Sequence, residues 1–327
     1  MTKPDFCAPL LSALQNANSI LLCTHIAPDG DAIGSILAMG MGLKALGKQA
    51  VMACQDPVPT KYGFLPHANE VVRADALAGK TFDAAMNVDA AGLHLIGDCR
   101  EAYLKAPVRL QIDHHPDNPR YADVNWVDGK TPAAGVLVRY ALEGLGVPLN
   151  EEIAACLYCA ISTDTGNFRF NSTNAETFEV MAELMDAGLD IGSAARQLHS
   201  LKEKPHLLLL SRALLSLRVF ADGKCARMLL TGRDYLDAQA DTEHREGIVN
   251  YALDIPGVEM AYLAEERTPG KVKVSLRGLM PHDTSSIARA FGGGGHKLAS
   301  AFQCEGHIAS VCEALDKAFE AAVEKNE

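Results

Sequence analysis

The feature that most constrains the fold is a rhythm running through residues 19–113. Short apolar runs alternate there with helix-patterned segments, and most of the runs end on an acidic or histidine residue. Residues 19–25 read SILLCTH, a buried strand. They are followed at 32–46 by AIGSILAMGMGLKAL, an apolar helix that stops at Gly47. Residues 49–54 (QAVMAC), 82–89 (FDAAMNVD) and 108–113 (VRLQID) read as further strands, with a helical pattern at 93–105. Strands that alternate with helices predict a parallel sheet covered by helices.

Helical patterns then occupy 133–145, 151–162 and 175–187, and the less regular 188–215 reads as a helical linker. Beyond it lie strand-like 216–220, 224–231, 258–265 and 272–276, a helix over 284–291, a glycine-rich loop and a last helix over 308–324. At 327 residues, two domains are the expectation. The first spans 1–187, the linker 188–215, and a smaller α/β domain with a mixed sheet and helices spans 216–327.

Composition matters for what it excludes. A net charge of −11 argues against a broad basic surface coating long duplexes, yet it leaves room for a few cations in one cleft. The nine cysteines are scattered through apolar segments, and Cys156 and Cys159 sit inside a helical run with no second pair. Core packing is therefore expected of them, not zinc. The first residues carry no long apolar signal segment, and no run of 18 or more apolar residues occurs. A cytoplasmic protein without a membrane partner is expected.

The acidic and histidine residues fall at element ends. The first strand leads to His25, Asp29 and Asp31, and the run NVDAAG gives Asp89. QIDHHP gives Asp113, His114 and His115, and STDTGNF after a helix gives Asp164. In an open parallel sheet the carboxyl ends of the strands share one edge, so these groups converge in space. Each has a plainer reading alone. Asp31 caps a helix starting at Ala32, and Asp29-Gly30 marks a tight turn. Together they offer two or three imidazoles and four or five carboxylates, and no thiolate. That donor set suits Mn²⁺ or a similar divalent ion, and it is large enough for two. Two ions about 3.5–4 Å apart suit hydrolysis at phosphorus.

HIAPDGDAIGS, NVDAAG, QIDHHP and STDTGNF resemble, in order and spacing, the four motifs of the DHH phosphoesterase superfamily. VSLRG followed by FGGGGHKLASAF resembles the DHH-associated C-terminal substrate-binding domain. Length and linker are similar to the group of bifunctional oligoribonucleases (nano-RNases) and 3′-phosphoadenosine 5′-phosphate phosphatases. The resemblance implies one metal on His25, Asp29 and Asp89, and a second on Asp31, Asp89, His114 and Asp164, with Asp89 bridging. The ions would be Mn²⁺, with Mg²⁺ or Co²⁺ as alternatives, and the water between them the nucleophile. His115 would face the substrate phosphate as a donor or general acid, and Asp113 would orient it.

The glycine run at 292–295 offers backbone N–H groups to phosphate, and Arg277 and His296 are suitable companions. By resemblance, Arg277, Gly293, Gly294, Gly295 and His296 would grip the 5′ end of a short substrate. Two departures stand out. His94 and Leu95 occupy the place where relatives commonly carry an arginine, and KLASAF replaces the commoner KLAAGF. The expected activity is hydrolysis of short oligoribonucleotides and of 3′-phosphoadenosine 5′-phosphate. A phosphodiesterase for cyclic or linear dinucleotide signals is the alternative, and a non-catalytic nucleotide sensor a more distant one. Partners are thus small nucleotides, with a homodimer left open.

Overall fold

In the computed structural model, which describes residues 7–324, the chain divides into two compact units, Met1–Leu201 and Lys202–Glu327. The segment expected as a linker, 188–215, is shared between the two units. In the first unit, α1 (Ala8–Asn16), β1 (Ser19–Cys23), α2 (Gly30–Ala45), β2 (Gln49–Cys54), β3 (Val72–Arg73) and β4 (Ala84–Val88) come first. They are followed by α3 (Arg100–Lys105), β5 (Val108–Asp113), β6 (Val124–Val127), α4 (Ala134–Gly144), α5 (Glu151–Asp164), α6 (Ala175–Asp186) and α7 (Ile191–Ala195). A π-turn, Arg196–Ser200, closes the unit.

The six strands form one parallel sheet in the order β3-β2-β1-β4-β5-β6. Alternate strand residues face opposite sides, and both sides are covered. Ile20, Leu22, Met86 and Ile112 pack with residues of α2, α4 and α5, while Leu21, Cys23, Ala85 and Tyr103 form the core of the opposite face. That two-sided burial is why β1 and β2 read as nearly continuous apolar runs. Almost every residue of α2 is buried, because it lies between the sheet and α5. Close approach there depends on glycine: a Cβ on Gly34 would stand 2.3 Å from the Cys156 carbonyl oxygen, and one on Gly30 2.4 Å from the Thr163 side chain. Gly30 therefore serves helix packing, whereas its expected role was a tight turn.

The helix expected at 93–105 is broken. A 3-10 segment, Leu93–Cys99, is interrupted at Gly97, with φ of 53°, before α3 begins. The side chain of Gln55 fills the space beside Gly97 and accepts a bond from the Asp98 N–H, so no continuous helix fits. Strands β3 and β6 were not anticipated.

The second unit begins with α8 (Lys204–Leu215), β7 (Arg218–Phe220), β8 (Cys225–Thr231), α9 (Gly232–Ala238), α10 (Ile248–Leu253) and β9 (Met260–Thr268). It ends with β10 (Lys271–Gly278), α11 (Thr284–Ala290), β11 (Gly294–His296), β12 (Ala299–Glu305) and α12 (Ile308–Glu324). Its mixed sheet runs β11-β12-β10-β9-β8-β7, parallel between β8 and β9 and antiparallel elsewhere. One face packs on α11 and α12, and the β8–β9 part of the other packs on α8, α9 and α10.

The glycine run is in part a strand where a loop was expected. Gly294, Gly295 and His296 pair with Ala301, Ser300 and Ala299. A Cβ on Gly293 would collide with the Ala301 carbonyl oxygen at 2.2 Å, so the hairpin itself requires that glycine.

Candidate metal centre

The order of the first sheet reverses between β1 and β4, since β2 and β3 extend to one side and β5 and β6 to the other. That is where a parallel sheet opens a crevice at its carboxyl edge. The chain leaving β1 carries His25 and Asp29, the residue after β4 is Asp89, and β5 ends on Asp113 with His114 and His115 next. Helix α2 brings Asp31 in its first turn and α5 brings Asp164 at its last residue.

These groups do meet. His25 Nε2 lies 3.7 Å from Asp29 Oδ1 and 3.7 Å from Asp89 Oδ2. His114 Nε2 lies 3.1 Å from Asp164 Oδ2, 3.5 Å from Asp89 Oδ1 and 3.7 Å from Asp31 Oδ2. Ligand atoms of His25, Asp29 and Asp89 fall within 4.8 Å of one another, as do those of Asp31, His114 and Asp164, and those of Asp89, His114 and His115. Asp89 belongs to two of the three groups.

Both inner imidazoles are oriented from behind. Nδ1 of His25 pairs with the Ile26 carbonyl at 2.7 Å, and Nδ1 of His114 with the Thr131 carbonyl at 3.3 Å. Each Nε2 is thereby left facing the carboxylates, the arrangement a metal-binding histidine uses. The loop after β1 is pinned as well: the Ile26 N–H donates to the Leu95 carbonyl and the Ala27 N–H to Asp56 Oδ2, both at 2.7 Å.

The capping expectation is corrected. Helix α2 starts at Gly30, and its cap is Asp29, whose Oδ1 accepts from the Ala32 N–H at 3.1 Å. Asp31 is fully buried and spends its oxygens elsewhere. Oδ1 accepts from the Gly135 N–H and the Ser35 hydroxyl, both at 2.9 Å, and Oδ2 accepts from the Ala134 N–H at 2.5 Å. Asp31 therefore sits on the N-terminus of α4, where open N–H groups and the helix dipole favour an anion.

Asp89 is the unusual member. Its backbone is left-handed, φ 58°, a conformation that costs a non-glycine residue about 1–3 kcal/mol and collects at functional sites. Its Oδ1 is buried and accepts no hydrogen bond among the described residues. A buried carboxylate oxygen without a hydrogen-bond donor fits a cation.

The charges agree. Burial works against a charged His25, but Asp29 and Asp89 outweigh it and hold its pKa up to about 11. His114 is likewise held up to about 12, by Asp164, Asp89 and Asp31. Burial, then the neighbouring carboxylates, pushes Asp31 well above its ordinary value, and burial and Asp89 raise Asp164. Burial resists ionisation of Asp89 too, but the facing imidazoles of His114 and His25 bring it well below the usual carboxylate range. Four carboxylates crowd two imidazoles here, and divalent cations would relieve that crowding.

His115 points differently. Its Nδ1 pairs with Asp113 Oδ1 at 2.8 Å, its pKa is raised chiefly by that bond, and its side chain is 41% exposed. Asp113 is fully buried and also accepts from the Asn118 amide, a residue for which HHPDNP gives no signal beyond a turn. Ser35, the Thr131 carbonyl and the N-terminus of α4 were equally unforeseen. Only the acceptor-rich element ends are visible in a sequence, whereas their supports are backbone groups of distant segments.

In the second unit, Arg277, Ala299 and His296 form one row across β10, β12 and β11. Nη1 of Arg277 donates to the Leu276 carbonyl at 2.9 Å, and burial lowers the guanidinium pKa. Of the glycines, Gly295 packs against Ser300, while a Cβ on Gly294 would meet nothing within 4 Å.

A parallel sheet with aspartates and histidines clustered at its switch point matches a hydrolase of phosphate esters. The chain belongs to the DHH family of phosphoesterases: the DHH family N-terminal domain matches residues 19–161 and the DHHA1 domain residues 228–325. A bifunctional oligoribonuclease and PAP phosphatase NrnA of Thermus thermophilus is 32% identical over 98% of this chain and 93% of that protein. An exopolyphosphatase-related protein from Bacteroides fragilis shares the fold with a TM-score of 0.89 at 23% identity, covering 99% of this chain and all of that one. The exonuclease RecJ bound to manganese is a more distant likeness, with a TM-score of 0.53 at 18% identity over 99% of this chain and 95% of that one. No helix among the described residues is long and apolar enough to cross a membrane.

Proposed function

We propose that the protein hydrolyses short oligoribonucleotides and 3′-phosphoadenosine 5′-phosphate, using two divalent ions, with Mn²⁺ as the first choice. The observation that carries this reading is Asp89, a buried carboxylate facing His25 on one side and His114 on the other, with an oxygen left without a donor. His25, Asp29 and Asp89 would hold one ion, and Asp31, Asp89, His114 and Asp164 the other. The likeness to the Thermus protein over nearly the whole chain supports the substrate class.

Bound there, the ions would supply an activated water and neutralise charge on the phosphoryl oxygens. The chain's own residues do the rest. The Ile26 and Thr131 carbonyls fix the rings of His25 and His114, and the N-terminus of α4 fixes Asp31. Asp113 holds the Nδ1 proton of His115 and raises the pKa of the ring, so His115 can give a hydrogen bond or a proton at Nε2 to a substrate oxygen. Arg277 and His296, in one row of the second sheet, would bind a terminal phosphate, with Gly294 leaving room for close approach. Gly293 and Gly295 would shape the hairpin that presents it.

The test is turnover by the purified protein with Mn²⁺ on 3′-phosphoadenosine 5′-phosphate, dinucleotides, RNA five-mers and pyrophosphate. Hydrolysis of the first three in preference to pyrophosphate is expected. No turnover of any of them with metal bound would reject the reading.

A further inference from the structure

The second unit carries a concentration of cations that the account so far leaves unused. Arg245, Arg267, Lys271 and Lys273 line a concavity of about 270 Å³ with Thr242 and Glu265 among its other walls. This is in a chain whose net charge is −11. One carboxylate faces four cations, and it is already committed. Buried Glu265 accepts from the Tyr235 hydroxyl and, at 2.8 Å, from Arg245 Nη1. Arg267 lies over the Tyr235 ring, 4.7 Å from its centroid. Arg267, Lys271 and Lys273 form no ion pair among the described residues. Burial, and then Arg245, pushes the Lys273 ammonium below its ordinary pKa, as expected where cations are gathered without enough counter-charge.

The position of this concavity gives it a direction. Along β10, Val272, Val274 and Leu276 face the core, so Lys271, Lys273, Ser275 and Arg277 share the opposite, partly exposed face. Lys273 therefore lies on the same face as Arg277 and about 14 Å along the strand from it. Alternate residues stand about 7 Å apart, a step that suits successive phosphates of an extended single strand.

We propose that this concavity is a phosphate-binding subsite, which takes phosphodiester groups of a single-stranded oligonucleotide beyond its terminal phosphate and so favours substrates longer than a dinucleotide. The proposal rests on the reading that short oligonucleotides are substrates and that Arg277 holds one end. It adds a second point of attachment on the same sheet face.

The test measures equilibrium binding of a fluorescent RNA five-mer and of a dinucleotide to the full chain without added metal. Salt is varied, and wild type is compared with the double variant Arg267→Gln/Lys271→Gln. Each lost contact to a single strand lowers the slope of log K against log salt by about 0.7, so the five-mer slope should fall by about 1.4. The dinucleotide slope should keep its wild-type value. An unchanged five-mer slope, or an equal fall for both ligands, would overturn the subsite. So would a wild type that does not bind the five-mer. A wild type that binds the five-mer but hydrolyses no member of the substrate panel would reject the functional reading, while the slope still decides the subsite.

Discussion

At the scale of single residues, the centre works through side chains whose positions are fixed by groups behind them. Asp113 illustrates this: it is buried, reaches the crevice only through His115, and holds that ring by one hydrogen bond. Asp113→Asn should lower turnover about 10- to 100-fold, the usual cost of losing an orienting carboxylate. KM should change little; a KM effect without a kcat effect would place Asp113 elsewhere. A second prediction concerns protons. Without metal, the surrounding carboxylates keep His25 and His114 protonated up to about 11 and about 12, yet a ligating imidazole must be neutral. Because both values are raised, ion binding must displace protons at neutral pH, and Mn²⁺ affinity should rise as pH rises. Calorimetry in two buffers of different ionisation heat should register proton release; affinity independent of pH would contradict the arrangement. The aspartates and histidines were legible because they cluster just after apolar runs, where a buried chain has no structural need of charge. The assignment of the cap was not legible, because Asp29 and Asp31 are equivalent by type. Only the place where α4 begins, more than 100 residues on, distinguishes them.

At the scale of elements, the site depends on how closely α2 and α5 approach, since Asp31 stands at the start of one and Asp164 at the end of the other. Gly34→Ala places a methyl group 2.3 Å from a backbone carbonyl that cannot move aside cheaply. It should destabilise the first unit by about 1–3 kcal/mol, measurable as a lower denaturation midpoint. In the second unit the glycines divide by role. Gly293→Ala should open the hairpin, whereas Gly294→Ala should leave folding intact, so any loss of substrate binding in the latter reports on ligand approach. Circular dichroism with nucleotide titration separates the two. The parallel strands β1, β2, β4 and β5 could be read from the sequence because both of their faces are largely buried and their runs are mostly apolar. The two-residue β3 and the short β6 lack such runs. The polar α9 is opened by a Thr231–Asp234 capping box, but it is too short to show a periodic face. Strand β12 alternates weakly beside a glycine run, and a glycine run has the composition of a loop even where, as here, its glycines let strands approach.

At the scale of the whole molecule, each unit has its own apolar core, and the acidic centre belongs wholly to the first. A ligand stabilises what it binds, by about 2.7 kcal/mol at a hundredfold excess over Kd. Added Mn²⁺ should therefore raise the melting transition of the first unit and leave that of the second in place, which scanning calorimetry would resolve. Under the proposed function the chemistry falls to the first unit and the phosphate contacts to the second. All of this depends on Asp89 serving two ions at once. Titration of the metal-free chain with Mn²⁺, compared with Asp89→Ala, tests that claim most directly. Two ions bound per wild-type chain are predicted, together with loss of turnover and of tight binding at both positions in the variant. A wild type that takes up only one ion, or a variant that still binds two and hydrolyses substrate, would contradict it.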